Sequence, residues 1–277
     1  MIRRLAFALF LGFSLQGNAE DVKPVKNAGP YVPSPESVVS DMLRYAKVTD
    51  KDFLIDLGSG DGRIVRTAAK VFGARGFGVE IKEDLVRKAN EAARSEGISD
   101  RVKFVKQDLF KTDISQATVI TMYLLPDTVV LLKDKFLSEL KPGTRIVSHD
   151  YPLTGWFPED SRTFDLEEKI NISGVTTTIL WLYVVPAKFE GTWKVSLPQS
   201  VAKGPALLQL KQQQIARASG SMKIDGTDIP LEDVRLHGDR LSFKVAGRKG
   251  EYSAQIKGRS MEGTLDGKTP WSATLGG

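Results

Sequence analysis

The chain has 277 residues, of which 41% are hydrophobic, 26% charged and 8% aromatic. This is the composition of a globular protein of one large domain or two ordinary ones, and it excludes a mostly disordered chain, a collagen-like repeat and a polytopic membrane protein. There is no cysteine, which rules out disulfides, thiolate metal sites and a cysteine nucleophile, and the net charge of +5 is small enough to be a solvated surface rather than a nucleic-acid interface.

Met1 to Arg4 is a basic start, Leu5 to Leu15 a mostly apolar run of eleven residues, and Gln16-Gly17-Asn18-Ala19 ends on small residues. This three-part pattern is that of a secretory signal peptide with cleavage after Ala19, so an exported, periplasmic location is expected. Eleven helical residues span about 16 Å, short of a hydrocarbon core of about 30 Å. The alternative is an uncleaved leader that anchors the chain in an inner membrane, facing outward, since Arg3 and Arg4 favour the inner side.

Residues 20–34 form an extended lead-in rich in Pro, Lys, Asn and Gly. Ser34-Pro35-Glu36 is helix-start chemistry, a capping oxygen before a proline, and predicts a helix to about Lys47. Its buried face would be Val38, Val39, Met42, Leu43 and Tyr45 or Ala46. The chain then alternates. Strands are expected at Phe53–Leu57, Gly76–Glu80, Val102–Gln107, Thr118–Leu124 and Thr144–Ser148. Helices are expected at Arg63–Phe72, Lys82–Glu96 and Pro126–Leu140, stopped by Gly73, Gly97 and the Pro142-Gly143 turn. Phe164–Ile172 and Thr176–Val184, with only Ser173-Gly174-Val175 between them, predict an antiparallel hairpin. Residues 35–186 are thus expected to form an α/β unit, a Rossmann-like seven-stranded sheet, mostly parallel, with helices on both faces.

From residue 187 on, short β-type runs and glycine turns replace helical periodicity, and the 14 basic and 9 acidic residues there carry the whole charge excess. Strands are expected at Thr192–Leu197, Leu207–Leu210, Gln214–Ala218, Gly220–Ile224, Leu241–Val245, Tyr252–Ile256, Ser260–Leu265 and Ser272–Leu275. Residues 187–277 would form a small antiparallel barrel or sandwich.

Asp56-Leu57-Gly58-Ser59-Gly60-Asp61-Gly62 joins the first strand to its helix. Glycines let a backbone turn tightly against a ligand, and the helix N-terminus offers free N–H groups. The G-x-G-x-G spacing differs from the G-x-G-x-x-G of dinucleotide sites. Asp56 and Asp61 would repel a pyrophosphate and welcome a sulfonium or ammonium group. Glu80, 24 residues after Asp56, ends the second strand, where it can accept ribose hydroxyls, and Asp108 ends the third, where it can accept from an adenine amine. A ligand that combines amino acid, sulfonium, ribose and adenine is S-adenosylmethionine. No metal is expected.

Residues 31–186 resemble the class I, seven-β-strand methyltransferases, and within them the lysine methyltransferases that act on the c-type subunit of ATP synthase and the adenine nucleotide translocase, with their bacterial relatives. The residues that carry this are Tyr31-Val32-Pro33-Ser34-Pro35, Asp56–Val65, Gly78-Val79-Glu80, Gln107-Asp108-Leu109-Phe110, Tyr123-Leu124-Leu125-Pro126 and Ser148-His149-Asp150. The resemblance implies cofactor binding by Tyr31, Asp56, Gly58, Gly60, Asp61, Glu80, Asp108 and Leu109, and an acceptor channel lined by Leu124, Leu125 and Pro126. Tyr123, His149 and Asp150, at the carboxyl edge of the sheet, are the candidate catalytic groups on the acceptor side, and His237 belongs to a turn of the second domain. The expected activity is protein-lysine N-methylation by direct in-line transfer to a deprotonated amine. The expected partner is a protein with an accessible lysine, a membrane protein if the leader tethers the chain, and no nucleic acid. Two alternatives stand beside it: an exported, non-enzymatic protein that binds a nucleoside-like ligand, and a methyltransferase for a small molecule or lipid. Gly191-Thr192-Trp193, Gly263-Thr264-Leu265 and Trp271-Ser272-Ala273-Thr274 resemble the lipocalin-like β modules appended to exported bacterial enzymes.

Overall fold

The structure, a computed structural model, describes residues 31–276. The leader expected in residues 1–19 lies outside them. Helix α1 (Glu36–Tyr45) starts where proline at its border dictates, and Val38, Val39, Met42, Leu43, Tyr45 and Ala46 are all buried. Ser34, however, does not cap it. Its hydroxyl is turned 3.0 Å from His149 Nδ1 instead, and Pro35 takes the cap position.

The alternation that follows is β1 (Phe53–Leu57), α2 (Arg63–Phe72), β2 (Arg75–Glu80), α3 (Glu83–Ser95), β3 (Val102–Lys106), β4 (Val119–Met122), α4 (Pro126–Glu139) and β5 (Arg145–His149). With β6 (Asp160–Asp165) and β7 (Thr177–Val184) these strands form one sheet in the order β3-β2-β1-β4-β5-β7-β6. β1 to β5 are parallel, and β7 runs antiparallel to β5 and β6. Apolar side chains cover both faces, which is why β1 and β4 carry almost uninterrupted hydrophobic runs. On one face α1, α2 and α3 pack Met42, Leu43, Val65 and Ala89 against Leu54 and Val147. On the other, Leu132 and Phe136 of α4 pack with Ile55, Ile120, Trp156 and Tyr183.

Two expectations fail in this unit. β4 ends at Met122 rather than Leu124, so Tyr123 and Leu124 leave the sheet at its carboxyl edge. The strand expected at Phe164–Ile172 is instead the polar segment Asp160–Asp165, followed by a 3-10 turn (Glu167–Lys169) and the single turn α5 (Ile170–Ser173). β6 is an exposed edge, so no apolar alternation marks it. Of the residues expected to continue the strand, Lys169 is buried, while Glu167, Glu168 and Ile170 are exposed.

The remaining chain closes into a barrel of β8 (Gly191–Ser196), β9 (Ala206–Gln214), β10 (Arg217–Ile224), β11 (Thr227–His237), β12 (Arg240–Val245), β13 (Glu251–Lys257), β14 (Ser260–Leu265) and β15 (Thr269–Leu275). Neighbours are antiparallel throughout, and β8 pairs with both β9 and β15. The strand expected at Gln214–Ala218 is the β9–β10 turn, where Ala216 has φ 65°. β11 was hidden by Pro230, its charges and an irregular register between Glu232 and Arg235. An eight-stranded barrel has an interior that side chains can fill. Here Trp193, Met222, Phe243, Tyr252 and Trp271 fill it, with the Phe243 and Tyr252 rings stacked 5.1 Å apart and Trp271 edge-on to both.

The barrel is attached beside β5–β7. Trp156 bridges to Ile215, the Phe157 amide donates to the Ile215 carbonyl at 3.0 Å, and the Arg217 guanidinium lies 4.8 Å above the Phe157 ring. The Ala187 amide donates to the Gly238 carbonyl at 2.8 Å, and His237 Nδ1 lies 3.0 Å from Glu159 Oε1. Among the described residues no helix is long and apolar enough to cross a membrane.

Candidate active site

The glycine-rich loop sits between the end of β1 and the start of α2. The amides of Gly58 and Ser59 both donate to the Val79 carbonyl at 2.9 Å, which pins the loop to the end of β2. Gly60 has φ 54°, and a Cβ on it would meet the Tyr31 ring at 2.4 Å. A Cβ on Gly58 would meet Leu124 Cδ2 at 2.7 Å. Only glycine permits both the left-handed turn and these approaches. Tyr31, from the lead-in, thus lies directly on the loop at Gly60, and Leu124, two residues past β4, lies against Gly58.

The acids around this loop have different roles. Glu80 accepts from the Gly60 amide at 3.1 Å through Oε2, and from the amides of Ile81 and Lys82 at 2.9 Å through Oε1. Three of the roughly four lone-pair sites of the carboxylate are taken, and the remaining one is on Oε2, so Glu80 is oriented and still able to accept a hydroxyl. Asp56 is 2% exposed and accepts from the Thr121 hydroxyl at 2.7 Å. Burial pushes its carboxyl up to about 7, against the pull of the Thr121 bond, with Glu80 and Asp61 adding to the rise. Asp61 is clamped by Arg63, whose Nε donates to Oδ1 at 3.0 Å and Nη2 to Oδ2 at 2.8 Å. Burial opposes ionisation there too, but the Arg63 bonds prevail and hold the Asp61 carboxyl below its ordinary value. Asp61 is thus ion-paired in place and burial pushes Asp56 toward its protonated form, so the negative field at the loop falls to Glu80. Arg63 also donates from Nη1 to the Ser34 carbonyl at 2.9 Å, fastening the lead-in to the loop. Sequence reasoning missed Arg63, although its place directly after the last loop glycine was the available signal.

Asp108 is half-buried and uses Oδ1 to accept from the Phe110 amide at 2.9 Å. Leu109 is buried, its side chain part of the core with Ile114 and Ile120. Leu124 is buried, whereas Leu125 and Pro126 are exposed at the start of α4.

Tyr123, next to Leu124, stacks on His149 with ring centroids 3.9 Å apart. His149 is 1% exposed, and its Nε2 lies 3.7 Å from Asp150 Oδ1 without a hydrogen-bond partner among the described residues. Burial, assisted by the Lys169 charge and opposed by Asp150, drives the imidazole down to about 4, so it is neutral at physiological pH. Burial and the Asp150 carboxylate push the Tyr123 phenol up, so it keeps its proton. Asp150 holds the left-handed φ of 63° and turns its carboxylate to Lys169, whose Nζ lies 2.8 Å from Oδ1 and 2.7 Å from Oδ2. Lys169 Nζ also donates to the Thr177 carbonyl. Nothing in the sequence singled out Lys169, which lay inside an expected strand. Beside this cluster is an open depression of about 510 Å³, lined by Pro33, Pro35, Glu36, Ser37, Arg63 and Glu168.

The donor set fits S-adenosylmethionine. The loop has no side chain where Tyr31 crosses it, the oriented Glu80 suits a ribose, and the local field suits a cation.

A family profile described as the ANTKMT methyltransferase domain matches residues 56–160. The chain is similar to a protein-lysine N-methyltransferase of Saccharolobus islandicus, 48% identical over 132 residues, covering 47% of this chain and 82% of that one. It is 31% identical over 162 residues to the adenine nucleotide translocase lysine N-methyltransferase of Mus musculus, covering 58% of this chain and 66% of that one. It is 31% identical over 130 residues to the lysine N-methyltransferase of Xenopus laevis named for the c-type subunit of ATP synthase, covering 47% of this chain and 57% of that one. Among solved structures, one described as an RNA methyltransferase from Salinibacter ruber, in complex with S-adenosyl-L-homocysteine, superposes with a TM-score of 0.51 and 46% identity, covering 57% of this chain and 96% of that one.

Proposed function

Since the chain belongs to the S-adenosylmethionine-dependent protein-lysine N-methyltransferases, we propose that it methylates a lysine of a protein held at a membrane surface. The observation that carries the catalytic part is the junction at Tyr123-Leu124. Leu124 touches the glycine loop, and Tyr123 stacks on His149, so consecutive residues join the cofactor cradle to the acceptor cluster.

Tyr31, Gly58, Gly60, Asp61 and Glu80 would hold the cofactor, with Arg63 fixing Asp61 and the lead-in. When bound, S-adenosylmethionine supplies an electrophilic methyl whose C–S bond breaks, its electron pair passing to sulfur, as the N–C bond forms. The protein's part is to orient the lysine, exclude water and admit the amine without its proton. A free lysine has a pKa of about 10.4, so at neutral pH the proton must leave to water first. Transfer then depends on alignment more than on any covalent help from the chain.

The membrane-protein substrate is supported by the relatives named for ATP synthase and for the adenine nucleotide translocase. Export, or outward-facing tethering, is supported by the basic and apolar pattern of residues 1–19. The test combines purified full-length chain and methyl-tritiated S-adenosylmethionine with poly-L-lysine, bacterial inner-membrane proteins, total RNA and extracted lipid. Label recovered as methyllysine after acid hydrolysis is the expected outcome. Label in RNA or lipid alone overturns the lysine assignment. Fractionation of cells places the chain, and a cytosolic pool only would remove the export proposal.

A further inference from the structure

The acceptor cluster contains a charge the reaction does not obviously need. Asp150 is the carboxylate nearest Tyr123 and His149, and an incoming lysine would meet it at the carboxyl edge of β5. Left alone, a half-buried carboxylate there would hold the incoming lysine as an ammonium and so hold back the attacking lone pair. It is not left alone. Lys169 is 3% exposed, contacts both oxygens of Asp150, and is fixed from the far side by the Thr177 carbonyl of β7. The Ile179 amide of the same strand donates to Asp150 Oδ1 at 3.2 Å.

We propose that Lys169 is a positioning residue for methyl transfer: by occupying the Asp150 carboxylate it keeps the acceptor cluster electrically neutral, so that the substrate lysine enters and reacts as its uncharged amine. This rests on the methyltransferase reading and adds to it the means by which the amine is kept deprotonated. The groups that face the cluster agree with it. From the segment that follows β4 comes the Tyr123 phenol, and from β5 the His149 imidazole, both neutral. Tyr151 follows Asp150 in the chain. From the lead-in comes the uncharged Ser34 hydroxyl. Of the two acids of the turn, Glu168 accepts from the Ser37 hydroxyl at 3.2 Å and Glu167 is exposed. Among the groups named here, the charges in contact are therefore one aspartate and one lysine. The lysine is also a cation beside the acceptor's path, and a nearby cation favours the neutral form of an amine. The acceptor's proton leaves to solvent water, so neither residue has to take it up.

His149 reports on this arrangement without any substrate. An imidazole 3.7 Å from an unopposed carboxylate would gain a proton far more easily than one whose carboxylate is already paired. The experiment compares the full chain with Lys169→Met, Lys169→Arg and the double variant Asp150→Asn/Lys169→Met. Nuclear magnetic resonance follows the two imidazoles, assigned with His237→Gln. In parallel, single-turnover transfer to poly-L-lysine is measured from pH 6 to 10. In Lys169→Met the His149 midpoint should rise by at least one pH unit, and the rate profile should move at least one unit to the alkaline side. The double variant, again neutral, should reverse both shifts, and Lys169→Arg should show neither. A folded Lys169→Met that binds S-adenosylmethionine but leaves both the His149 midpoint and the rate profile in place overturns the proposal. So does a shift the double variant fails to reverse, which would mark Lys169 as structural only. Failure of the methyltransferase reading itself would show differently, as an unmodified chain that neither binds S-adenosylmethionine nor transfers its methyl group.

Discussion

At the scale of single residues, the site works because its acids are kept in different states. Glu80 is oriented at the loop by three amides. Glu80→Ala should weaken S-adenosylmethionine binding by roughly tenfold or more, the equivalent of one charge-assisted hydrogen bond, as read by calorimetry; unchanged affinity would remove Glu80 from the cofactor site. Asp56 behaves otherwise. Its folded carboxyl titrates near 7, whereas an unfolded aspartate titrates near 4. The folded state therefore retains the proton over that window, and the stabilisation this provides is lost as pH rises from about 4 to about 7. Asp56→Asn should lack this loss, so its melting temperature relative to the unmodified chain should be higher at pH 8 than at pH 5. An equal difference at both would show that Asp56 titrates normally. The glycine loop, Glu80 and the acceptor-side trio could be found from sequence because each ends a strand or fills a turn with recognisable chemistry. Arg63 and Lys169 could not be weighed in the same way. A cation's partner depends on which segments fold together, and Lys169 meets Asp150 from 19 positions away.

At the scale of elements, the first segment is held by its side chains rather than by a helix cap. Ser34 gives its hydroxyl to His149 and its carbonyl to Arg63, and Tyr31 lies across Gly60. Arg63 thus joins three parts: the lead-in, the glycine loop and α2. Arg63→Ala should weaken cofactor binding and make the peptide bonds around residues 31–34 more open to limited proteolysis, while α2 and the sheet stay folded by circular dichroism. Protection unchanged from the unmodified chain would mean that Tyr31 alone holds the segment. The alternating strands and helices of residues 53–149 were legible because buried parallel strands are apolar on both faces and α2 and α3 stop at glycine, α4 at a Pro-Gly turn. β6 and β11 were not, for a shared reason. Both expose most of their side chains, so backbone pairing defines them and no periodic apolar pattern appears.

At the scale of the whole molecule, the barrel is a second core joined to the first by a small, partly apolar contact. Ile215 is central to it, pairing with Trp156 and packing on the core that also holds Phe136 and Tyr183. Ile215→Asp would place an unpaired carboxylate in this half-buried contact, at about 2 kcal/mol. Two separated unfolding transitions in calorimetry are expected in place of the unmodified profile. A single unshifted transition would show that the contact does not couple the units. Closure of the barrel has one further consequence. Because β15 returns to β8, none of the eight C-terminal strands offers an open rim of amides and carbonyls. Among the described residues, the free margins are those of the α/β sheet: β3, where Lys103 and Lys106 are exposed, and β6, whose sequence is Asp-Ser-Arg-Thr-Phe-Asp. Strand-to-strand polymerisation of this protein would have to begin at one of these two margins. Both carry charge in the positions a neighbouring chain would approach, so a variant that replaces Lys103, Lys106, Asp160 and Arg162 with threonine should be the one that forms fibrils.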